Sequence, residues 1–197
     1  MARLAPLERS ELAEFEDFFK VVDQVMGFLP NSMLTLGRRP EILRGFSALT
    51  GAVLGPGKLS PELKQLVAFV SSNASGCRYC QAHTSASASR VGASAEKIAA
   101  AFEFDTSPLF SDAERAALSL AYAASVVPND ATDEHFAQLR KHYDEGEIIE
   151  LMAVIALFGW LNRWNDTMAT TLEPEPITFA RTHLAARGWE IGAHAKS

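Results

Sequence analysis

The chain has 197 residues, 48% of them hydrophobic, which is enough to bury a sizeable core without disulfide staples or structural metals and excludes a mainly disordered state. Eighteen Lys and Arg against 24 Asp and Glu leave a formal charge of -6 and a pI near 5.4, so phosphate backbones and anionic lipid are not generally attracted. Nucleic acid is therefore not an expected partner. The opening Met-Ala-Arg-Leu-Ala-Pro leads into charged residues rather than an apolar run with a small-residue cleavage site, and a cytoplasmic location is expected. The longest apolar run, Leu151 to Leu161, contains Gly159 and falls short of the ~20 residues that a membrane crossing needs, so no membrane partner is expected either.

From Leu7 to Phe28 the residues Leu12, Phe15, Phe18, Phe19, Val22, Val25 and Met26 recur at intervals of three and four, which predicts a long first helix ended by Pro30 and Asn31. A second helix is expected from Pro40 through Ile42, Leu43, Phe46 and Leu49, with Gly51 to Gly57 breaking it. Ser60-Pro61-Glu62 caps a third, expected to reach about Ser72. A turn follows at Asn73 to Gly76. Cys77 then begins an Ala- and Ser-rich helix that runs to Arg90 and stops at Val91-Gly92.

Ser94 to Phe102 is expected to be a short helix, and Ser111 with Glu114 forms a capping box for another reaching Val127. Thr132 caps a helix with Phe136 and Leu139. Glu147 to about Thr170 is the most apolar helical stretch and is expected at the centre, ended by Pro174 and Pro176. A last amphipathic segment, Ile177 to Arg187, is expected to pack on the body or reach a neighbouring subunit. With no strand-like alternation and no long polar linker, the fold class expected is all-α: a single-domain helical bundle over residues 1–197.

Most candidate motifs have plainer readings. Gly55-Pro-Gly57-Lys58 suggests a phosphate loop, but Ala52 stands where the pattern needs its first Gly and Leu59 where it needs Ser or Thr. His135 and His142 lie two turns apart on a charged helix without partners in ligand spacing, and read as surface residues. Asp130 and Asp133 lack the twelve-residue calcium pattern. Phe158, Trp160 and Trp164 read as core or subunit interface. Arg163, Asn165 and Asp166, polar on so apolar a helix, read first as a buried hydrogen-bonded network and second as a site wall.

The chemistry concentrates in Cys77-Arg78-Tyr79-Cys80-Gln81-Ala82-His83. Residues three apart share a helix face, so Cys77, Cys80 and His83 form one row, with the sulfurs in reach of a disulfide. Unpaired N–H groups at the helix start, with Arg78, favour a thiolate there, taking a thiol from about 8.5 toward 7 or below. His83 is placed to lower it further or to shuttle a proton. Half of a zinc site and inert structural thiols are the alternatives; a zinc site lacks a fourth ligand, and no metal or cofactor is expected.

At these residues the chain resembles the carboxymuconolactone decarboxylase and alkylhydroperoxidase D superfamily, especially its peroxidase-related branch. The resemblance rests on Ser60-Pro-Glu-Leu-Lys-Gln-Leu-Val-Ala-Phe-Val-Ser-Ser-Asn73 followed by Gly76-Cys-Arg-Tyr-Cys-Gln-Ala-His83. It covers a core of about residues 40–125, leaving the first helix (about 7–28) and the tail (about 174–197) outside. It implies an all-helical, usually oligomeric protein that reduces a small-molecule hydroperoxide through the Cys pair. Cys80 would attack the peroxide and become a sulfenic acid, Cys77 would resolve it as a disulfide, and a dithiol reductant such as a lipoyl-bearing protein would recharge the pair.

Two positions depart from that pattern. The redox members carry Glu twelve residues before the first Cys, and this chain has Gln65, whose amide cannot exchange a proton. Glu62, one turn earlier, is either its substitute or simply a first-turn residue favoured by the helix dipole. The family His expected four residues after the second Cys is Thr84, while His83 holds the preceding position. Tyr79 either joins the proton relay or packs. The expected catalytic set is thus Cys80, Cys77, His83, Tyr79 and Glu62. A redox-sensing or binding protein with vestigial thiols, and a non-redox decarboxylase, remain open beside it. The apolar long helix and the extra N-terminal helix lead us to expect a homo-oligomer.

Overall fold

The structure, a computed structural model, describes residues 2–196, and among these every regular element is a helix. Ten α-helices occur: α1 Glu16–Met26, α2 Asn31–Leu36, α3 Pro40–Leu54, α4 Pro61–Ala74, α5 Arg78–Arg90, α6 Ala95–Ala100, α7 Asp112–Ala123, α8 Asp133–Leu139, α9 Glu145–Met168 and α10 Pro174–His183. Side-chain caps start several of them. Ser60 accepts the Leu63 N–H before α4, Ser94 the Lys97 N–H before α6, and Ser111 and Asp144 form capping boxes before α7 and α9.

The central helix is α4, not the more apolar α9. Leu63, Lys64 and every residue from Leu66 to Ser72 are buried, because α5, α7 and α9 pack around α4. By contrast, α9 leaves Ile149 and Trp160 on the surface. Apolar content made α9 the expected centre, but small residues such as Ala68, Ser71 and Ser72 are what let helices close around α4 on several sides. Burial reaches Lys64, 2% exposed, whose ammonium donates to Val53 O (3.0 Å) and Gly55 O (2.8 Å) and pairs with Glu150 (2.5 Å). Glu150 also accepts the backbone N–H groups of Lys58 and Leu59, so the Gly55–Lys58 loop wraps a carboxylate of its own chain.

The remaining differences from expectation are local. The first helix starts as a 3-10 turn, Arg9–Phe15, with Leu12 off helical geometry; α1 follows and ends at Gly27, whose φ of 82° suits Gly. Pro30 and Asn31 do not stop at ending a helix: they open α2, with Pro30 as its extended N-cap residue. α3 continues through Gly51 to Leu54 and α7 stops at Ala123, short of Val127. Pro174 and Pro176 lie inside the first turn of α10, where a missing N–H costs nothing, rather than merely ending α9. α10 packs on α5, with Ala180 and, just past its end, Leu184 buried. Among the described residues no helix is long and apolar enough to cross a membrane.

Candidate active site

The turn between α4 and α5 sets the sulfur geometry. Gly76 takes φ 76°, which a side chain would strain, and reverses the chain so that the Cys77 N–H donates to Ser72 O at 3.2 Å. Cys77 is then the N-cap residue of α5. Its Sγ accepts the Cys80 N–H at 3.4 Å, the place a Ser or Asp oxygen usually takes. Cys77 is fully buried. Cys80, one turn on, is 2% exposed and lines a cavity of about 420 Å³, whereas Cys77 does not reach that cavity. The expected single row of Cys77, Cys80 and His83 is therefore split: Cys80 and His83 face the cavity and Cys77 stands behind them.

Most of the cavity wall is apolar. Phe18, Val22 and Met26 of α1, Met33 of α2, Leu54 of α3 and Phe158 of α9 contribute to it. One side is polar. His83 stacks on Tyr79 with ring centroids 4.2 Å apart and meets the Phe28 ring edge-on at 5.3 Å. A carboxylate sits beneath both, from the residue before α10: Glu173, 7% exposed. Its Oε1 accepts the Tyr79 O–H (3.0 Å) and the Asn31 N–H at the start of α2 (2.5 Å), and its Oε2 accepts from His83 Nε2 (2.7 Å). A carboxylate with no proton to give requires the proton on His83 Nε2, and leaves Nδ1 without a protein partner among the described residues. Burial opposes the charge on Glu173, but the field of His83 and the hydrogen bonds from His83 and Asn31 outweigh it and hold the carboxyl below its ordinary range.

The C-terminal segment pins this carboxylate. His194 is buried, its Nδ1 donates to Thr170 O (2.8 Å) and its carbonyl accepts the Leu172 N–H (3.0 Å). Trp189 Nε1 donates to the carbonyl of Arg78 at the first residue of α5 (3.1 Å). The tail thus clamps the short stretch carrying Glu173 against the Cys helix.

The electrostatics of Cys80 run against the expectation of a thiolate at rest. Burial first, then the neighbouring Cys77 sulfur, push the Cys80 thiol well above the usual range. The helix-start N–H that was expected to stabilise a reactive thiolate points at Cys77, and Arg78 turns to Gln81 (3.2 Å). One group opposes the shift: Asn165 of α9, 1% exposed, places Nδ2 3.5 Å from Cys80 Sγ. Asn165 also lines the cavity, so the site-wall reading holds for it, while Arg163 and Asp166 lie exposed on the same helix.

Of the expected set, the structure brings Cys80, His83 and Tyr79 together and puts Cys77 directly behind. It does not bring Glu62. That carboxylate pairs with Lys97 of α6 (2.9 Å), which also holds Glu114 of α7 (2.6 Å), and Glu62 is not among the residues that line the cavity. Gln65 does line the cavity, and the carboxylate that meets His83 is that of Glu173. Sequence reading missed Glu173 because it sits between Leu172 and Pro174 in a stretch that looked only like a helix terminator. His135 caps α8 through the Thr132 N–H (3.1 Å), and no group of three His, Cys, Asp or Glu side chains among the described residues has metal-holding geometry.

The chain is thus an all-helical bundle with a Cys-x-x-Cys pair at the start of α5. The model of the carboxymuconolactone decarboxylase family matches residues 40–123 of the chain. It is 36% identical to YnjA of Escherichia coli (strain K12) over 110 residues, 56% of this chain and 60% of that protein; the chain thus matches less than two thirds of this relative's length. It is 39% identical to the debrominase Bmp8, seen as a Cys-to-Ala variant in complex with 2,3,4-tribromopyrrole, with TM-score 0.86 over 90% of this chain and 95% of that one. A peroxidase-related protein from Ralstonia eutropha JMP134 has the same fold, with TM-score 0.77 at 24% identity over 91% and 95% of the chains.

Proposed function

We propose that the protein is a thiol-dependent reductase that passes two electrons from Cys80 and Cys77 to a small apolar electrophile, with halogenated aromatic rings as its substrate class. The observation that carries this is the cavity of about 420 Å³, apolar on most sides, into which Cys80 opens beside His83 while Cys77 stays behind. The near full-length likeness to a debrominase supports the substrate class.

In this reading the Cys80 sulfur attacks the halogen, the carbon–halogen electron pair stays on the ring carbon, and that carbon takes a proton. The Cys80 thiol proton is passed through His83 Nδ1, with Glu173 holding the ring and stabilising the imidazolium that forms in transit. Cys80 is left as a sulfenyl halide. The Cys77 sulfur displaces halide from it, giving the disulfide and a proton. One ring and two thiols thus yield the dehalogenated ring, one disulfide and one hydrogen halide. A dithiol reductant then attacks Cys80, the sulfur on the cavity side, and Cys77 departs at the helix start, where the Cys80 N–H receives it. The second thiol of the reductant closes its own disulfide and frees Cys80.

Hydroperoxide reduction, the reaction suggested by the peroxidase-related branch, is the second reading. It uses the same parts: Cys80 becomes a sulfenic acid, His83 protonates the departing alkoxide, and Cys77 expels water. The His83–Glu173 pair favours it, being a proton donor that replaces the acid lost at Gln65. Single turnovers of reduced protein decide between the two. Brominated pyrrole is expected to release one bromide per two thiols lost, faster than cumene hydroperoxide consumes them. Thiol loss with the hydroperoxide alone would leave the peroxidase, and loss with neither would end both readings.

A further inference from the structure

Buried polar atoms nearly all find partners in folded proteins, so those that do not, on the wall of a cavity, point to what fills it. Two cavity residues carry such atoms: Asn165 Oδ1 and Thr50 Oγ1 are both buried and have no hydrogen-bond partner. The orientation of the Asn165 amide follows from its neighbour. When Cys80 becomes nucleophilic, only the N–H side of the amide can face the sulfur, and Nδ2 lies there at 3.5 Å. Its carbonyl oxygen is then a lone acceptor next to the reacting atom.

The surrounding charges say what kind of donor this is. Among the described residues two cations line the cavity: Arg90, which is exposed to solvent, and the buried Lys64, which is spent on Val53 O, Gly55 O and Glu150, while the Glu173 carboxylate is filled by Tyr79, Asn31 and His83. Nothing buried in the cavity is left over to balance a charged ligand. We propose that Asn165 reads a ring N–H or O–H of a neutral substrate, and that this hydrogen bond sets the adjacent ring carbon and its leaving group over Cys80. The substrate class narrows to halogenated N–H heterocycles and phenols, a narrowing that rests on the thiol-reductase reading above. A ring without a donor leaves Oδ1 unpartnered in a dry site, which costs about 10- to 100-fold in binding.

The test is calorimetric titration of Cys80→Ser protein, which retains an oxygen for Nδ2 and cannot turn over, with a brominated pyrrole and with the furan of the same bromination, a ring of similar size without the N–H. The pyrrole is expected to bind about 10- to 100-fold more tightly. Adding Asn165→Leu is expected to bring the two within about threefold by weakening the pyrrole alone, and adding Asn165→Asp, which keeps an acceptor, is expected to retain the preference. Equal binding of the two rings, no detectable binding of the pyrrole, or a preference that survives Asn165→Leu would overturn the inference. Wild-type turnover is scored separately. A binding preference without debromination would sink the reductase reading alone, and equal debromination of both rings would sink the Asn165 inference alone.

Discussion

Residues 40–123, the part matched by the family model, and the segments outside it contribute different things to one cavity. The matched part supplies both sulfurs, Tyr79 and His83, all on or beside α5. The flanks supply the setting: the Glu173 carboxylate from the start of α10, the Asn165 amide from α9, and the apolar wall from α1. The sulfurs, Tyr79 and His83 are thus local in sequence, whereas the contact of Tyr79 with Glu173 spans 94 positions.

That division is open to attack at several points. The largest effect is expected within the matched part: Cys80→Ser abolishes turnover, while Cys77→Ser allows one turnover and stalls with a modified Cys80, read by quench and mass spectrometry. Equal loss with no trapped adduct would remove the division of labour between the sulfurs. Next comes the flank carboxylate. Glu173→Gln is expected to slow kcat by about 10²-fold or more, as loss of a proton relay does, while Glu62→Gln stays within about twofold because its partner is Lys97. If Glu62→Gln were the slower variant, the acid would belong to the matched part after all. A smaller effect is expected on the wall: Val22→Ala or Met26→Ala should raise KM roughly tenfold with kcat unchanged, the worth of one to two buried methylenes of uniform binding.

The smallest effects concern pH. Glu173 is held below the ordinary carboxylate value of 4.5, so the unfolded chain binds its proton more readily than the native one. Its stabilisation is present above that value and is lost as pH falls through the lower native one; Glu173→Gln should flatten the acid limb of a thermal-melt series. Cys80 works the other way. Its thiol stays protonated in the native state where an unfolded thiol ionises, so stability should decline above the ordinary thiol value of 9.0, and Cys80→Ser should remove that decline.

The helical class, the Cys turn and the roles of Cys80 and His83 as neighbours were legible because they depend on spacings of three and four within one element. Glu62 was weighed on that same local scale, as a substitute for the acid absent at Gln65 or as a plain first-turn residue, and the scale itself was the difficulty: the carboxylate that meets His83 comes from a different element. Glu173 receives donors from Asn31 and from α5 together, and neither contact leaves a periodic trace. The start of α2 at Asn31 was hidden for a related reason, since Pro30 reads equally as a helix end and as the extended residue before a new helix. Asn165 was legible as an oddity, a polar group on an apolar helix, but its partner sulfur lies 85 positions away. The reversed acidity of Cys80 was not legible at all. Helix position alone argues for ionisation, and only the packing of the finished fold shows that the favourable N–H goes to the other sulfur.

The withdrawn position of the Cys80 proton has a practical side. Labelling reagents that rely on a pre-formed anion, iodoacetamide among them, should find this protein sluggish in the absence of ligand, and surveys of hyperreactive cysteines in whole cells would pass it over. Such reticence shields the sulfur from stray oxidants between encounters, and it means that the reactivity of the empty protein is a poor guide to its competence once a guest has arrived.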